Sequence, residues 1–155
     1  MPAKPATTRK AEPGSDLEDL VGYNLKRAYL VVQNDFRNAL EQDDLSARVF
    51  SALSLVVQFP NITQSALARV LGIERSGLVA IIDALEARGY VVRSPVPGDR
   101  RVQALIPSDK GQVAYERAAI KVRAHEEKLL EHLSSDEKSV LLTLLKKIRE
   151  AEQSQ

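Results

Sequence analysis

At Gly89-Tyr90 the hydrophobic period of the chain changes, and that switch limits the folds open to it. Upstream, Leu78, Ile81, Ile82 and Leu85 recur at helical spacing. Downstream, Tyr90-Val91-Val92-Arg93 and Arg101-Val102-Gln103-Ala104-Leu105-Ile106 are extended runs on either side of Ser94-Pro95-Val96-Pro97-Gly98-Asp99-Arg100. Two such runs around a Pro/Gly/Asp cluster predict a hairpin whose loop is longer than a minimal turn. Before the switch, Thr63 is placed to cap a short helix over 64–71, and Gly72 occupies the C′ position that ends it. After Ile73 to Arg75 the helical spacing resumes. Two short helices joined by a tight glycine turn, followed by a hairpin, predict a winged helix-turn-helix.

Longer helices flank this unit. Leu17, Val21, Leu25, Ala28, Val32, Phe36 and Ala39 step by fours and threes, which predicts one helix from Leu17 to Gln42. At about 26 residues it spans ~39 Å, a length suited to crossing a dimer rather than curling inside a small monomer. Asp43 or Asp44 is placed to cap a second helix that Pro60 ends. Ser108 or Asp109 opens a long helix over about 109–133, and Ser134-Ser135-Asp136-Glu137 is a capping box for the last one. That last helix carries Leu141, Leu144, Leu145 and Ile148 on one face. The expected class is mainly α with a small β wing, and no internal repeat is present.

At 155 residues the chain has room for one domain, and 44% hydrophobic residues can fill a core. No apolar run reaches the ~18 residues of a membrane-spanning helix. Residues 1–16 carry Pro, Lys and Arg without an apolar segment, so they read as a disordered tail rather than a signal peptide. The lack of cysteine excludes thiol chemistry, disulfides and thiolate metal sites, and fits a reducing cytoplasm. Aromatic residues are 5% and Trp is absent, which argues against a stacking platform for single-stranded nucleic acid. No Ser/His/Asp arrangement, phosphate-cradling glycine loop or nucleotide fingerprint is visible, so an enzyme is not expected.

The net charge of +1 does not announce a nucleic-acid partner, but the placement of charge does. Between residues 60 and 111 seven basic side chains face five acidic ones. A recognition helix presents polar or small residues at its start, where it enters the major groove. Glu74, Arg75, Ser76 and Gly77 hold that position, and Arg75 can donate to a guanine edge or to phosphate. Thr63, Gln64 and Ser65 set hydroxyls and an amide at the positive end of the preceding helix, an arrangement suited to phosphate. Asp99, Arg100 and Arg101 lie at the wing tip, where arginine suits a narrow minor groove.

The stretch LARVLGIERSGLVAIIDALEARGYVVRS, followed by PGDRRVQALIPSDKG, resembles the MarR (multiple antibiotic resistance regulator) family of transcriptional regulators. The wing's D-x-R stands here as Asp99-Arg100-Arg101, with Leu105 and the helix-opening Gly111 at the family's spacing. The helical order extends the resemblance over about Leu17 to Arg149. It implies a homodimer, with dimerisation segments at 17–44 and 112–155 and a winged helix-turn-helix at 45–111. It also implies that Ser76 and Gly77 lie at the groove-facing start of the recognition helix, that Arg101 is the wing arginine, and that Asp99 orients the wing. Gly77 and Ala80 stand where many relatives carry a hydroxyl and an arginine, which shifts base reading toward Arg75 and Ser76. Pro107 replaces the usual leucine, at a place that bears on where the second wing strand ends.

A second stripe on the first long helix comprises Tyr23, Arg27, Leu30, Asn34 and Arg37. The resemblance implies a ligand pocket between the dimerisation helices and the winged helix. A ring, an amide and cations on one face suit an anionic, partly apolar ligand, such as an aromatic carboxylate or its acyl-CoA thioester. The alternative is an exposed face held by intrahelical pairs. His125 and His132 are seven apart, not the three or four usual for zinc on a helix, and with Glu126, Glu127 and Glu131 they read as a solvated charged face, so no metal is expected.

The sequence therefore predicts a cytoplasmic, ligand-responsive repressor that binds double-stranded, pseudo-palindromic operator DNA as a homodimer. No cofactor, catalytic activity or membrane partner is expected. The alternative is a winged-helix module for protein contacts that does not bind DNA.

Overall fold

A computed structural model of the chain describes residues 15–43 and 45–151. The expected tail at residues 1–16 therefore falls mostly outside the described residues, as does the candidate cap Asp44. The elements run α1 (Ser15–Glu18), α2 (Val21–Leu40), a 3-10 turn (Glu41–Asp43), α3 (Ala47–Gln58), β1 (Ile62–Thr63), α4 (Gln64–Leu71), α5 (Arg75–Ala87), β2 (Val91–Val96), β3 (Asp99–Pro107), α6 (Asp109–Leu129) and α7 (Ser135–Glu150). The three strands form an antiparallel sheet in the order β1-β3-β2.

The first long helix is not continuous. Leu20 is extended at φ −89° and ψ 121°, which separates α1 from the 20-residue α2. The Asn24 side-chain amide bridges the break, donating to Glu18 O at 2.6 Å and to Leu20 O at 2.9 Å, the latter also accepting the Asn24 backbone N–H at 3.1 Å. The cap of α3 is Ser46, whose Oγ accepts from the Val49 N–H at 3.3 Å. Asp43 instead faces α6, where its carboxylate pairs with Arg117 at 2.7 Å and Lys121 at 2.6 Å. Its side chain is only 4% exposed, so the 3-10 turn is held against α6 by a buried carboxylate between two cations.

The hairpin also differs from expectation. Its strands reach through most of the anticipated loop, leaving Pro97 and Gly98 between them, with Gly98 at φ 88°. Between Pro95 and Val96 the register shifts, from Pro95 opposite Gln103 to Val96 opposite Asp99, so Arg100, Arg101 and Val102 bulge from β3 without partners on β2. Pro107 is the last residue of β3, opposite Val91 on β2 and past Ala104 and Leu105, the two residues that pair with β1. Helix α6 ends at Leu129, four residues short of the expected limit. The capping box of α7 is present: Ser134 N–H donates to Glu137 Oε2 at 2.7 Å, and Glu137 N–H donates to Ser134 Oγ at 3.2 Å. The Ser134 backbone N–H, and then its side chain, hold the Glu137 carboxyl below the ordinary carboxylate range. The box is thus intact at neutral pH and is lost as pH falls through that lowered value.

One core fills the winged lobe: Ala52, Leu53 and Val56 of α3 meet Leu67 of α4, Leu78, Ile82 and Leu85 of α5, and Val91 and Leu105 of the sheet. Burying each leucine or isoleucine contributes about 1.5–3 kcal/mol. A smaller cluster of Ala39, Leu40, Leu45 and Ala118 joins α2 to α6, beside Phe36, Phe50 and Tyr115 in ring contact. Helix α7 buries none of its residues.

The winged lobe meets α6 at Gly111. A Cβ there would collide with the carbonyl oxygen of Tyr90, an atom that cannot swing aside. Gly111→Ala is expected to cost at least about 2 kcal/mol in chemical denaturation, by overpacking against backbone. Gly77→Ala, with nothing within 4 Å of its Cβ, is expected to stabilise by about 0.5–1 kcal/mol.

Candidate nucleic-acid interface

Helices α4 and α5 are set by their ends. Thr63 Oγ1 accepts the Ala66 N–H at 3.2 Å, and Gly72 closes α4 in the left-handed conformation at φ 63°. The Ile73 N–H then reaches back to Ala68 O at 3.1 Å. The turn is short, so Leu67 and Ala68 face Leu78, Ile81 and Ile82 across the core. That packing turns Arg75, Ser76, Gly77 and Val79 outward.

Arg75 does not project freely from the start of α5. Its Nη2 donates to Ser65 Oγ on α4 at 3.0 Å, which links the two helices across the turn. On the wing, the Asp99 carboxylate accepts the Arg101 N–H at 3.0 Å and fastens the start of β3 to the tip. Gln103 Nε2 donates to Arg100 O at 3.4 Å. These pieces converge on a cleft of about 210 Å³ lined by Gln64, Ser65, Arg75, Val79, Arg101, Val102 and Gln103. Two arginines from different elements thus border one open groove.

Of the residues expected to contact DNA, Gln64, Ser65, Arg75 and Arg101 meet in this cleft. Ser76 and Gly77 are exposed beside it, Arg100 is exposed at the tip, and Thr63 is half-buried with its hydroxyl engaged as a cap. The sequence reading did not single out Val79, Val102 or Gln103. Val79 is an exposed apolar residue one turn after Arg75, a legible signal, whereas Gln103 requires the hairpin register.

The stripe on α2 falls into two pairs. Arg27 Nη1 donates to Tyr23 Oη at 3.0 Å, with its guanidinium 5.8 Å from the ring centroid, and Arg37 Nη2 donates to Asn34 Oδ1 at 2.8 Å. Leu30 lies between them, 49% exposed. Arg37 also borders a cavity of about 220 Å³ with Gln33, Phe36, Leu45, Ser46 and Ala47. A second cavity of about 170 Å³ lies between α2 and α6, with apolar walls from Val32, Phe36, Val122, Leu129 and Leu130. At its rim His125 Nδ1 is 3.4 Å from Asp35 Oδ1. The His125 side chain is 42% exposed beside this carboxylate, while Glu126, Glu127, Glu131 and His132 are exposed. Among the described residues no group of three His, Cys, Asp or Glu is placed to hold a metal ion, and no helix is long and apolar enough to cross a membrane.

Residues 43–102 match the sequence profile of the MarR family. Along nearly its whole length the chain is 30% identical to a transcriptional regulatory protein assigned to the hcr operon of Thauera aromatica, over 94% of this chain and 89% of that one. The chain belongs to the MarR family. Among solved structures, the transcriptional repressor CouR bound to a 23-mer DNA duplex superposes with a TM-score of 0.85 at 39% identity, covering 91% of this chain and 99% of that one. CouR bound to p-coumaroyl-CoA superposes with a TM-score of 0.79 at 38% identity, over 86% and 94% of the two chains. The mainly helical winged architecture is thus that of the MarR regulators.

Thr63 has a structural task apart from any contact with phosphate. Thr63→Ala is expected to lower thermal stability by about 1 kcal/mol through loss of the α4 cap. An unchanged melting temperature would show that the hydroxyl does not serve the fold.

Proposed function

We propose that this MarR protein is a ligand-responsive transcriptional repressor that binds a pseudo-palindromic operator as a homodimer in the cytoplasm. The observation that carries this reading is the cleft that sets Arg75 and Ser65 beside Arg101, in a chain 39% identical to a DNA-bound repressor. Residues 45–111 form the DNA-reading unit. Ser76 and Gly77 let the start of α5 approach base edges, and Arg75 donates to guanine or to phosphate. Val79 offers an apolar surface for a thymine methyl. Gln64 and Ser65, with Thr63 at the head of α4, grip the backbone. Arg101 enters the minor groove, held by the turn that Asp99 fastens, and Arg100 supports it from the tip.

Segments 17–44 and 112–155 make the dimer. Helix α7 buries none of its residues, and on its apolar stripe Leu141 is 38% exposed and Leu144 and Ile148 are each 50% exposed. A second copy covers such a face. The dimer sets two recognition helices about 34–36 Å apart, one turn of DNA.

The effector is a small aromatic acid or its CoA thioester, as the CouR complex with p-coumaroyl-CoA supports. Tyr23, Arg27, Leu30, Asn34 and Arg37 form the candidate surface for it. An effector that favours a spacing mismatched to DNA loosens binding about 5–150-fold, for a coupling of ~1–3 kcal/mol. Catalysis has no part in this reading.

The test begins with selection of duplexes from a random-sequence pool by the full chain, followed by a mobility shift with competitor DNA. Enrichment of a two-fold symmetric site supports the reading, and failure to enrich any duplex favours a protein-contact module. The protein–DNA complex is then titrated with p-coumaroyl-CoA and with free aromatic carboxylates. Arg27→Ala is expected to bind the selected duplex almost as wild type yet resist release. Lys26→Ala, rotated about 100° off that face, is the control. If both variants release DNA at the wild-type effector concentration, the effector acts elsewhere.

A further inference from the structure

Arg93 lies on β2, away from the cleft, and is tied to α5 three times. Its Nη2 meets Asp83 Oδ1 at 2.6 Å and its Nη1 meets Glu86 Oε2 at 2.7 Å. Its backbone N–H also donates to Glu86 Oε1 at 3.2 Å. Asp83 and Glu86 are three residues apart on α5, so they project from one face toward the strand. Both oxygens of Glu86 are thereby engaged by a single residue. The Arg93 side chain is 30% exposed, so the fork is partly shielded from solvent.

An exposed ion pair seldom adds much stability. This one has a geometric consequence instead. Arg93 pairs with Leu105 across the hairpin, and beyond it the sheet shifts register at Pro95/Val96 before residues 97–102 run exposed around the tip. Arg101 lies four residues along β3 from Leu105, about 13 Å. At that radius a rotation of about 10° at the root moves the wing arginine about 2 Å, enough to break a contact in a groove. The lobe's core, including Val91 and Leu105, is closed beneath this lever without Arg93.

We infer that Arg93 is a positioning residue that locks the wing to the recognition helix and so sets where Arg101 meets DNA. The inference rests on the DNA-binding reading above. It makes Arg93 a determinant of wing contact although it touches no nucleic acid itself. The fork needs a planar guanidinium, because a lysine ammonium is a point charge that does not hold two carboxylates and a fixed plane at once.

The test measures the affinity penalty of Arg101→Ala for a duplex selected by the wild-type chain, in wild-type and Arg93→Ala backgrounds. In wild type the expected penalty is about tenfold, with the salt slope reduced by about one. In Arg93→Ala it is expected to shrink to about twofold or less, since the wing contact is already lost. The Arg75→Ala penalty, on the helix itself, is expected to be equal in both backgrounds. An undiminished Arg101 penalty overturns the proposal. So does a loss of both penalties together, which marks Arg93 as a general stabiliser. If Arg93→Ala does not fold, Arg93→Lys carries the same comparison, with the Arg101 penalty expected to fall below its wild-type value. A wild-type chain that enriches no duplex overturns the DNA-binding reading and this inference with it.

Discussion

The winged lobe is fastened to the long helices at a junction that admits no slack. Helix α6 starts so close to the Tyr90 carbonyl that only glycine fits at position 111. Ser108 reinforces the crossing, donating from its hydroxyl to Gly89 O at 2.5 Å and from its N–H to Tyr90 O at 2.9 Å. Along α6, Asp43 provides a second fastening through Arg117 and Lys121. Asp43 is the buried member of this group, so losing both cations would leave its charge uncompensated. The helix-turn-helix, the sheet and the long helices therefore share one frame.

Within that frame the chemistry is local. A net charge of +1 gives no overall pull toward a polyanion, yet Arg75 and Arg101 border one groove because α4, α5 and β3 converge there. Acidic side chains nearby serve as fasteners: Asp99 holds the wing turn, while Asp83 and Glu86 hold the wing root. The apolar balance is unequal between the two ends of the fold. The winged lobe closes its own core, whereas α7 and much of α2 leave Val31, Leu30, Leu142 and Ile148 about half exposed or more. In the proposed dimer a second copy covers these faces, and the rigid junction then transmits the dimer's geometry to the two recognition helices.

The helix-turn-helix was legible because its boundaries are local. Thr63 and Gly72 act within four residues of the backbone groups they satisfy, and α4 occupies the anticipated 64–71. The same holds for the capping box at Ser134. Asp43 misled because its position also suited a helix cap, while its actual partners lie on α6, Lys121 being 78 residues away. The break at Leu20 was hidden because its flanking apolar residues keep helical spacing across it, and strand β1 is two residues long and exists only by pairing with Ala104 and Leu105. The cleft was partly legible: Arg75 and Arg101 stood out by type and place, but the Ser65 bond and Gln103 depend on how three elements meet. The α2 stripe has the expected spacing, and that same spacing lets Tyr23 pair with Arg27 and Asn34 with Arg37. The Asp35–His125 contact joins residues 90 apart, beyond the reach of any helical period.

One rigid frame links the long helices α2 and α6 to the winged lobe. Binding to a series of duplexes in which the two selected half-sites are moved apart or together one base pair at a time tests it most directly. A rigid dimer predicts one sharp optimum near the ~34–36 Å separation of successive grooves, with affinity falling at least about tenfold when the half-sites are displaced by two base pairs. Affinity that stays level across the series would contradict the account, because it would mean that the two lobes move independently of the helices that join them.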